Sequence, residues 1–215
     1  MKKTIVVLLV LLLMLLMACG SENGTAPAEE NSEEVVEEEV ISPENEEEVV
    51  EEAASDEFET SVGETVTNEG GSFTLLARAT DIPTQEDGPI ILDISQVNTA
   101  YGELAGDLAA FMDTDTIHYI QIDMEVENTS EETITFYASQ ATITTNTGEQ
   151  LESDMWLSDH LEGSYIGEVR KAGSQFFILE NSTADEIEWV RIIINSPQDE
   201  NYDRLGEGID FRVEF

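Results

Sequence analysis

The chain has 215 residues, of which 48 are acidic and only 8 basic, a formal net charge of −40. A polyanion of this kind repels phosphate backbones and has no Lys/Arg patch to release counterions, which excludes nucleic acid as a partner. Apolar residues at 40% and aromatics at 7% suffice for a folded domain, and the single cysteine excludes a disulfide framework or a multi-cysteine metal site.

Lys2 and Lys3 precede an almost purely apolar run from Thr4 to Met17. Fourteen residues of helix would reach about 21 Å, short of the ~30 Å hydrocarbon core, so the run reads as the h-region of a signal peptide. It ends in Leu16-Met17-Ala18-Cys19, which resembles the lipobox of bacterial lipoproteins. That resemblance implies cleavage before Cys19 and a diacylglyceryl group on its sulfur, so residues 1–18 are expected to be a signal peptide and Cys19 a lipid anchor. The competing reading is an ordinary secretory signal with an accidental cysteine. Two acyl chains give stable attachment where one gives marginal attachment. The expected partner is thus the membrane, and the expected location is the extracellular face of the bacterial cell membrane.

Residues 21–60 hold seventeen Asp/Glu and no Lys or Arg, with Glu-Glu-Val-Val-Glu-Glu at 33–38 and again at 47–52. Like charges at i,i+4 repel, and the valines build no continuous stripe. Residues 19–60 are therefore expected to form a disordered acidic linker, at most ~130 Å long when extended. A recognition tail for calcium or a basic partner is the sharper alternative.

Residues 61–215 keep 31 acidic and 6 basic side chains. Their dominant period is two. Phe73-Leu75-Ala77-Ala79, Ile120-Ile122-Met124-Val126, Val190-Ile192-Ile194 and Ile209-Phe211-Val213-Phe215 each alternate with residues of the opposite face. Further strands are expected over 89–97, 133–138, 140–145 and 174–180. Turns are expected at Glu69-Gly70-Gly71, Asn146-Thr147-Gly148, Ala172-Gly173 and Glu207-Gly208. Tyr101, Leu104, Ala105, Leu108 and Met112 recur at helical spacing after a possible Thr99 cap, which predicts a short helix within 99–112. The fold class that follows is mainly β: an antiparallel sandwich with one short helix.

Val62-Gly63-Glu64-Thr65-Val66 and the strand Ile120 to Val126 running into Asn128-Thr129-Ser130 resemble the immunoglobulin-like domain called domain of unknown function 4352, and the later Ile134-Thr135-Phe136-Tyr137, Gln140-Ala141-Thr142 and Thr147-Gly148-Glu149-Gln150 resemble a subgroup of Bacillus-type lipoproteins. The first stretches are similar also to the mycobacterial immunoprotective extracellular protein, which shares that sandwich. The resemblance implies an immunoglobulin-like β-sandwich over 61–215 and a surface location. It carries over no catalytic residue. Within it, Asn128 is suited to fold back on its own backbone, and Gly148 to take positive φ.

No catalytic, cofactor-binding or metal site is expected. His118 and His160 lack any metal-ligand spacing, and there is no phosphate loop, nucleophile elbow or Ser-x-x-Lys motif. Carboxylates are so numerous that chance pairs say nothing about glycoside hydrolysis. Asp113-Thr114-Asp115, Glu152-Ser153-Asp154 and Asp159 offer hard oxygen ligands for calcium, but read more simply as solvated loops. Trp156, among Met155, Leu157 and Tyr165, is expected to pack at a sheet edge; exposed, it would grip a glycan or a protein. Trp189 is expected in the core. The expected function is a lipid-anchored, non-enzymatic binding or envelope-accessory module with a protein or cell-wall partner. The alternative is a solute- or calcium-binding lipoprotein serving a transporter or sensor.

Overall fold

The computed structural model describes residues 60–215. The expected signal peptide, Cys19 and nearly all of the acidic linker lie outside the described residues. Twelve strands form: β1 (Thr65–Asn68), β2 (Gly71–Ala79), β3 (Gln85–Asp87), β4 (Ile90–Leu104), β5 (Thr116–Asn128), β6 (Thr133–Thr135), β7 (Thr142–Thr145), β8 (Gln150–Glu152), β9 (Ser164–Ile166), β10 (Val169–Ile178), β11 (Trp189–Ile194) and β12 (Ile209–Glu214). Among the described residues one α-helix, α1, spans Gly106–Met112.

Every strand pairing is antiparallel. The first sheet runs β1-β2-β4-β5-β10, with β3 added beside the start of β4; the second runs β12-β11-β7-β8; β6 and β9 form a separate pair. The alternation read from sequence dictates which faces meet. Ile120, Ile122, Met124 and Val126 of β5 are buried, while Gln121, Asp123 and Glu125 between them are not. They join Ile90, Leu92 and Ile94 of β4 and Ile143, Val190, Ile192, Ile194 and Val213 of the second sheet in one core. Each such side chain contributes roughly 1.5–3 kcal/mol of apolar burial, so the facing stripes hold the two sheets together as a sandwich.

The phase of burial changes along β5. Ile117 and Tyr119 are buried on the opposite face, with Ala100 and Leu104 of β4. Helix α1 supplies Leu108 and Met112 to cover this second cluster. The helix is thus shorter than the expected 99–112. Tyr101 pairs with His118 and Thr74, and Leu104 with Gly71, so the long-range ladder wins over the helical spacing. Thr99 is a fully buried strand residue rather than a cap. At Gly102 the Phe73 ring and Ile117 occupy the space a side chain would need. Gly71 has φ +141, with the Glu103 carbonyl standing where a Cβ would be, so only glycine fits there.

The turn expected at Ala172-Gly173 is also absent, because both residues lie inside β10. Gly173 is there for close approach: Asp159 packs against its Cα. The remaining expected strands form with shifted ends, and Gly148 takes φ +88 in its turn as the sequence implied. Asn128, fully buried, accepts the Ser130 amide at 3.0 Å and donates to the carbonyls of Glu132 and Gly167 at 2.9 Å each.

Tyr165 of β9 is fully buried, and its hydroxyl has no hydrogen-bond partner. Burial pushes its pKa from 10.0 up to about 12. Replacing it with Phe is expected to stabilise the domain by about 1 kcal/mol, since an unpaired buried hydroxyl is removed at constant shape. The folded form holds the phenol neutral while the unfolded form ionises above 10, so wild-type stability falls as pH rises through that window and the Phe variant loses this slope. Urea melts at pH 8 and 11 check both parts; a destabilised Phe variant would refute them.

Candidate functional site

Two of the domain's concave surfaces are lined by polar side chains from its sheet faces and edge. The first lies on the outer face of the six-stranded sheet. Bulges at Leu76 in β2 and Ser95 in β4 sharpen the local twist. Arg78, Gln96, Asn98, Gln121, Asp123 and Ser174 share this face around a depression of about 620 Å³ and its extension toward Phe73 and Tyr119. The Asp123 carboxylate accepts Gln96 Nε2 at 2.5 Å, Gln121 Nε2 at 2.8 Å and the Ser174 hydroxyl at 2.6 Å. Arg78 Nε donates to Asn98 Oδ1 at 3.0 Å. Three donors thus converge on Asp123, and Arg78 is tied separately to Asn98.

The second surface is a cleft of about 480 Å³ at the open edge of the sandwich, between β10 of one sheet and β7–β8 of the other. It forms because β10 is an edge strand. The segment after β8 covers that edge: Asp154 N donates to Phe176 O at 2.7 Å, Asp159 N to Ser174 O at 2.9 Å, Ser174 N to Asp159 Oδ2 at 2.8 Å, and Phe176 N to Ser158 Oγ at 2.9 Å. This strap blocks edge-to-edge pairing and leaves a polar hollow beneath it, lined by Gln140, Glu152, Asp159, His160, Gln175 and Asn195 among others.

Gln175 distinguishes this cleft. It pairs across from Ile122 on the core face and is fully buried. Its Nε2 donates to Asp159 O at 2.9 Å, but its Oε1 has no partner. A buried acceptor left open costs roughly 1–3 kcal/mol. No arginine or lysine lines the cleft. Met155 stands on its rim, 78% exposed; Trp156 follows at 73%; and Phe111 of α1, 57% exposed, meets the Trp156 ring edge-on at 6.0 Å between centroids.

The residues singled out from sequence fare differently. Trp156 is not core, because the Asp154 side chain accepts the Trp156 and Leu157 amides at 2.9 Å each and turns the chain outward. Trp189 is half-buried rather than core, with the Arg212 guanidinium 4.1 Å over its ring. His118 stacks on Tyr101 at 4.9 Å and accepts the Ala184 amide at Nδ1 at 3.2 Å. His160 is exposed on the cleft rim. Asp113 ends α1 with φ +53, and Asp154 and Asp159 bond backbone amides. Among the described residues no three His, Cys, Asp or Glu stand where they would share a metal ion. Sequence reasoning missed Gln175, although its phase with Phe177 marked it as an inward polar residue on a buried strand.

No established protein-family profile matches the chain. The chain is 29% identical over 154 residues to an SPbeta prophage-derived uncharacterized lipoprotein, YonS, of Bacillus subtilis (strain 168), covering 71% of this chain and 70% of that protein. Among solved structures, a functionally unknown protein from Listeria monocytogenes EGD-e superposes with a TM-score of 0.54 at 14% identity, over 74% of this chain and 94% of that one. The chain is therefore similar to a Bacillus lipoprotein in sequence, and it shares its antiparallel β fold with the Listeria protein.

Proposed function

We propose that this protein is a lipid-anchored, non-catalytic binding or envelope-accessory module held at the extracellular face of a bacterial cell membrane. In this reading residues 1–18 are removed, Cys19 carries the lipid, residues 19–60 act as an acidic spacer, and the immunoglobulin-like sandwich of 61–215 does the binding. One observation carries it: the chain's single cysteine stands in Leu16-Met17-Ala18-Cys19 directly after an apolar run, in a chain similar to a lipoprotein. The motif resemblance to domain of unknown function 4352 belongs to the same reading. Two acyl chains are the minimum for stable anchoring, and the spacer's charge keeps the domain off anionic head groups. The test is Cys19→Ser. Wild-type protein should partition with membranes and take up an azide-tagged fatty acid; the variant should do neither. Membrane recovery unchanged by the substitution would overturn the proposal.

A further inference from the structure

We infer that the outer face of the six-stranded sheet binds an α-carboxylate joined to an apolar side chain, the chemistry shared by a free apolar amino acid and the C-terminal residue of a peptide. The inference rests on the surface-module reading above and names the ligand class that the module takes.

Strand register sorts this face by chemistry. Residues opposite one another across the strands form rungs: Leu75, Ala100 and Tyr119; then Arg78, Asn98 and Gln121; then Gln96, Asp123 and Ser174; then Asp93 and Glu125. Successive rungs lie about 7 Å apart. The surface therefore passes from apolar, through cationic and polar, to acidic.

Arg78 stands at the turning point. Residues 61–215 hold 31 acidic side chains against 6 cations. Arg170, Lys171, Arg191 and Arg212 each pair with a carboxylate. Among the described residues Arg78 and Arg204 do not, and of these two only Arg78 is half-buried. Its Nε donates to Asn98 Oδ1 at 3.0 Å, and Asn98 is itself buried. That bond orients the guanidinium and leaves its two terminal amino groups without a side-chain partner. A partly desolvated guanidinium with a free pair of coplanar donors takes a carboxylate in a two-pronged bond.

The surroundings narrow the class. Arg78 lines both the depression of about 620 Å³ and the extension of about 240 Å³ beside it. Val66, Phe73, Leu75, Ala100 and Tyr119 wall the extension, which admits one large apolar side chain. The depression holds Asp93, Asp123 and Glu125. A bare anion at Arg78 meets those carboxylates, and a bare cation meets Arg78. A dipolar molecule satisfies both, with its carboxylate on Arg78, its side chain in the extension and its nitrogen toward the acidic rungs. Asp123 already accepts three donors, and Glu125 lies 3.6 Å from Arg170. Asp93, bonded only to the Thr84 hydroxyl at 3.4 Å, is the carboxylate left for a basic group. It stands two rungs from Arg78, roughly 13 Å along the strands, within reach of a lysine two residues before a peptide's C-terminus.

The experiment uses the full chain in a polyoxyethylene detergent. The probes are the tripeptide Lys-Ala-Leu and free leucine, each as the acid and as the C-terminal amide, with the serine counterpart of each. All are taken to about 10 mM, which reveals even a millimolar Kd. Calorimetry should show saturable binding of at least one leucine acid, with its amide at least tenfold weaker and its serine counterpart severalfold weaker. Leucine binding at least as tightly as the tripeptide identifies the free amino acid as the source; a tighter tripeptide identifies a peptide terminus. Arg78→Gln should erase the preference for acid over amide. Arg78→Lys, which keeps the charge but not the fork, should retain part of it. Unchanged far-UV circular dichroism verifies folding. No saturable heat with either leucine acid, equal affinity for acid and amide, equal affinity for leucine and serine, or an acid preference that persists in Arg78→Gln would each overturn the inference. Detergent-solubilised protein binds irrespective of anchoring, so binding that fails while Cys19→Ser still releases the protein from membranes sinks this inference alone.

Discussion

Glu149→Gln is expected to lower the stability of the folded domain by about 3 kcal/mol, a fall in Tm of roughly 10 °C for a domain of this size. Glu149 is only 8% exposed. Its carboxylate accepts the Glu180 amide at 2.9 Å, the Asn181 amide at 3.1 Å and the Ser182 hydroxyl. It follows the turn between β7 and β8, so it fastens the second sheet to the chain leaving β10 of the first. Thr147 reinforces the junction by donating to the Ser182 hydroxyl at 3.1 Å. A glutamine keeps one acceptor oxygen but turns an NH₂ toward donors, leaving at least one of them facing another donor.

Acid should reproduce the loss. Burial by itself would raise the Glu149 pKa, but the hydrogen bonds from Ser182, Glu180 and Asn181 together outweigh it and hold the carboxyl below its ordinary value. A group whose folded pKa is depressed contributes stability that is present above its unfolded pKa and disappears as pH falls through the folded one. Wild type and Gln variant should therefore differ most near pH 7 and converge in strong acid. Urea midpoints at pH 7 and pH 3 make the comparison; a gap of equal size at both would show that shape, not charge, is what Glu149 supplies.

How much of this was visible beforehand depends on the range of the forces. Ile120 through Val126 alternate because one face is wet and the other dry, and that pattern is local enough to read directly. The same rule fails at Tyr101 to Leu104, where spacing suggested a helix. Those residues are strand because β2 and β5 flank them on both sides, and nothing within 99–112 announces partners thirty residues back and fifteen ahead. Ala172-Gly173 misled for a related reason: glycine there makes room for Asp159, a neighbour only in space. Trp156 is the most instructive case. An apolar neighbourhood in sequence argued for burial, and a single Asp154 side chain capping two amides reverses it. The candidate site was thus half legible. Glu152 and Asp159 of the cleft were legible as acidic loop groups, whereas Gln175 was overlooked although its phase with Phe177 sets it on the inward face of β10.

Asp87→Ala is expected to destabilise the domain by about 3 kcal/mol, with the loss concentrated at β12. In so acidic a chain most carboxylates are solvated, yet Asp87, at the end of β3, is 8% exposed. Its two oxygens accept the Glu207 and Gly208 amides at 2.9 Å each, across more than a hundred residues of sequence. Gly206 lies against the same carboxylate so closely that no side chain could stand there. These two bonds fix the point where β12 begins, and β12 reaches the rest of its sheet through β11 alone. Alanine leaves two backbone donors without their acceptor. Asparagine restores one acceptor but turns an amide nitrogen toward the second donor, so Asp87→Asn should recover about half of the loss. Hydrogen exchange at Ile209–Glu214 should quicken more than at β5 in both variants, because local opening of the edge strand comes before global unfolding. Exchange raised equally in both strands would mean that Asp87 supports the whole core instead. No cation is among the groups bonded to this carboxylate, so its hold comes from two backbone dipoles, and added salt should leave the Ala variant's deficit nearly unchanged.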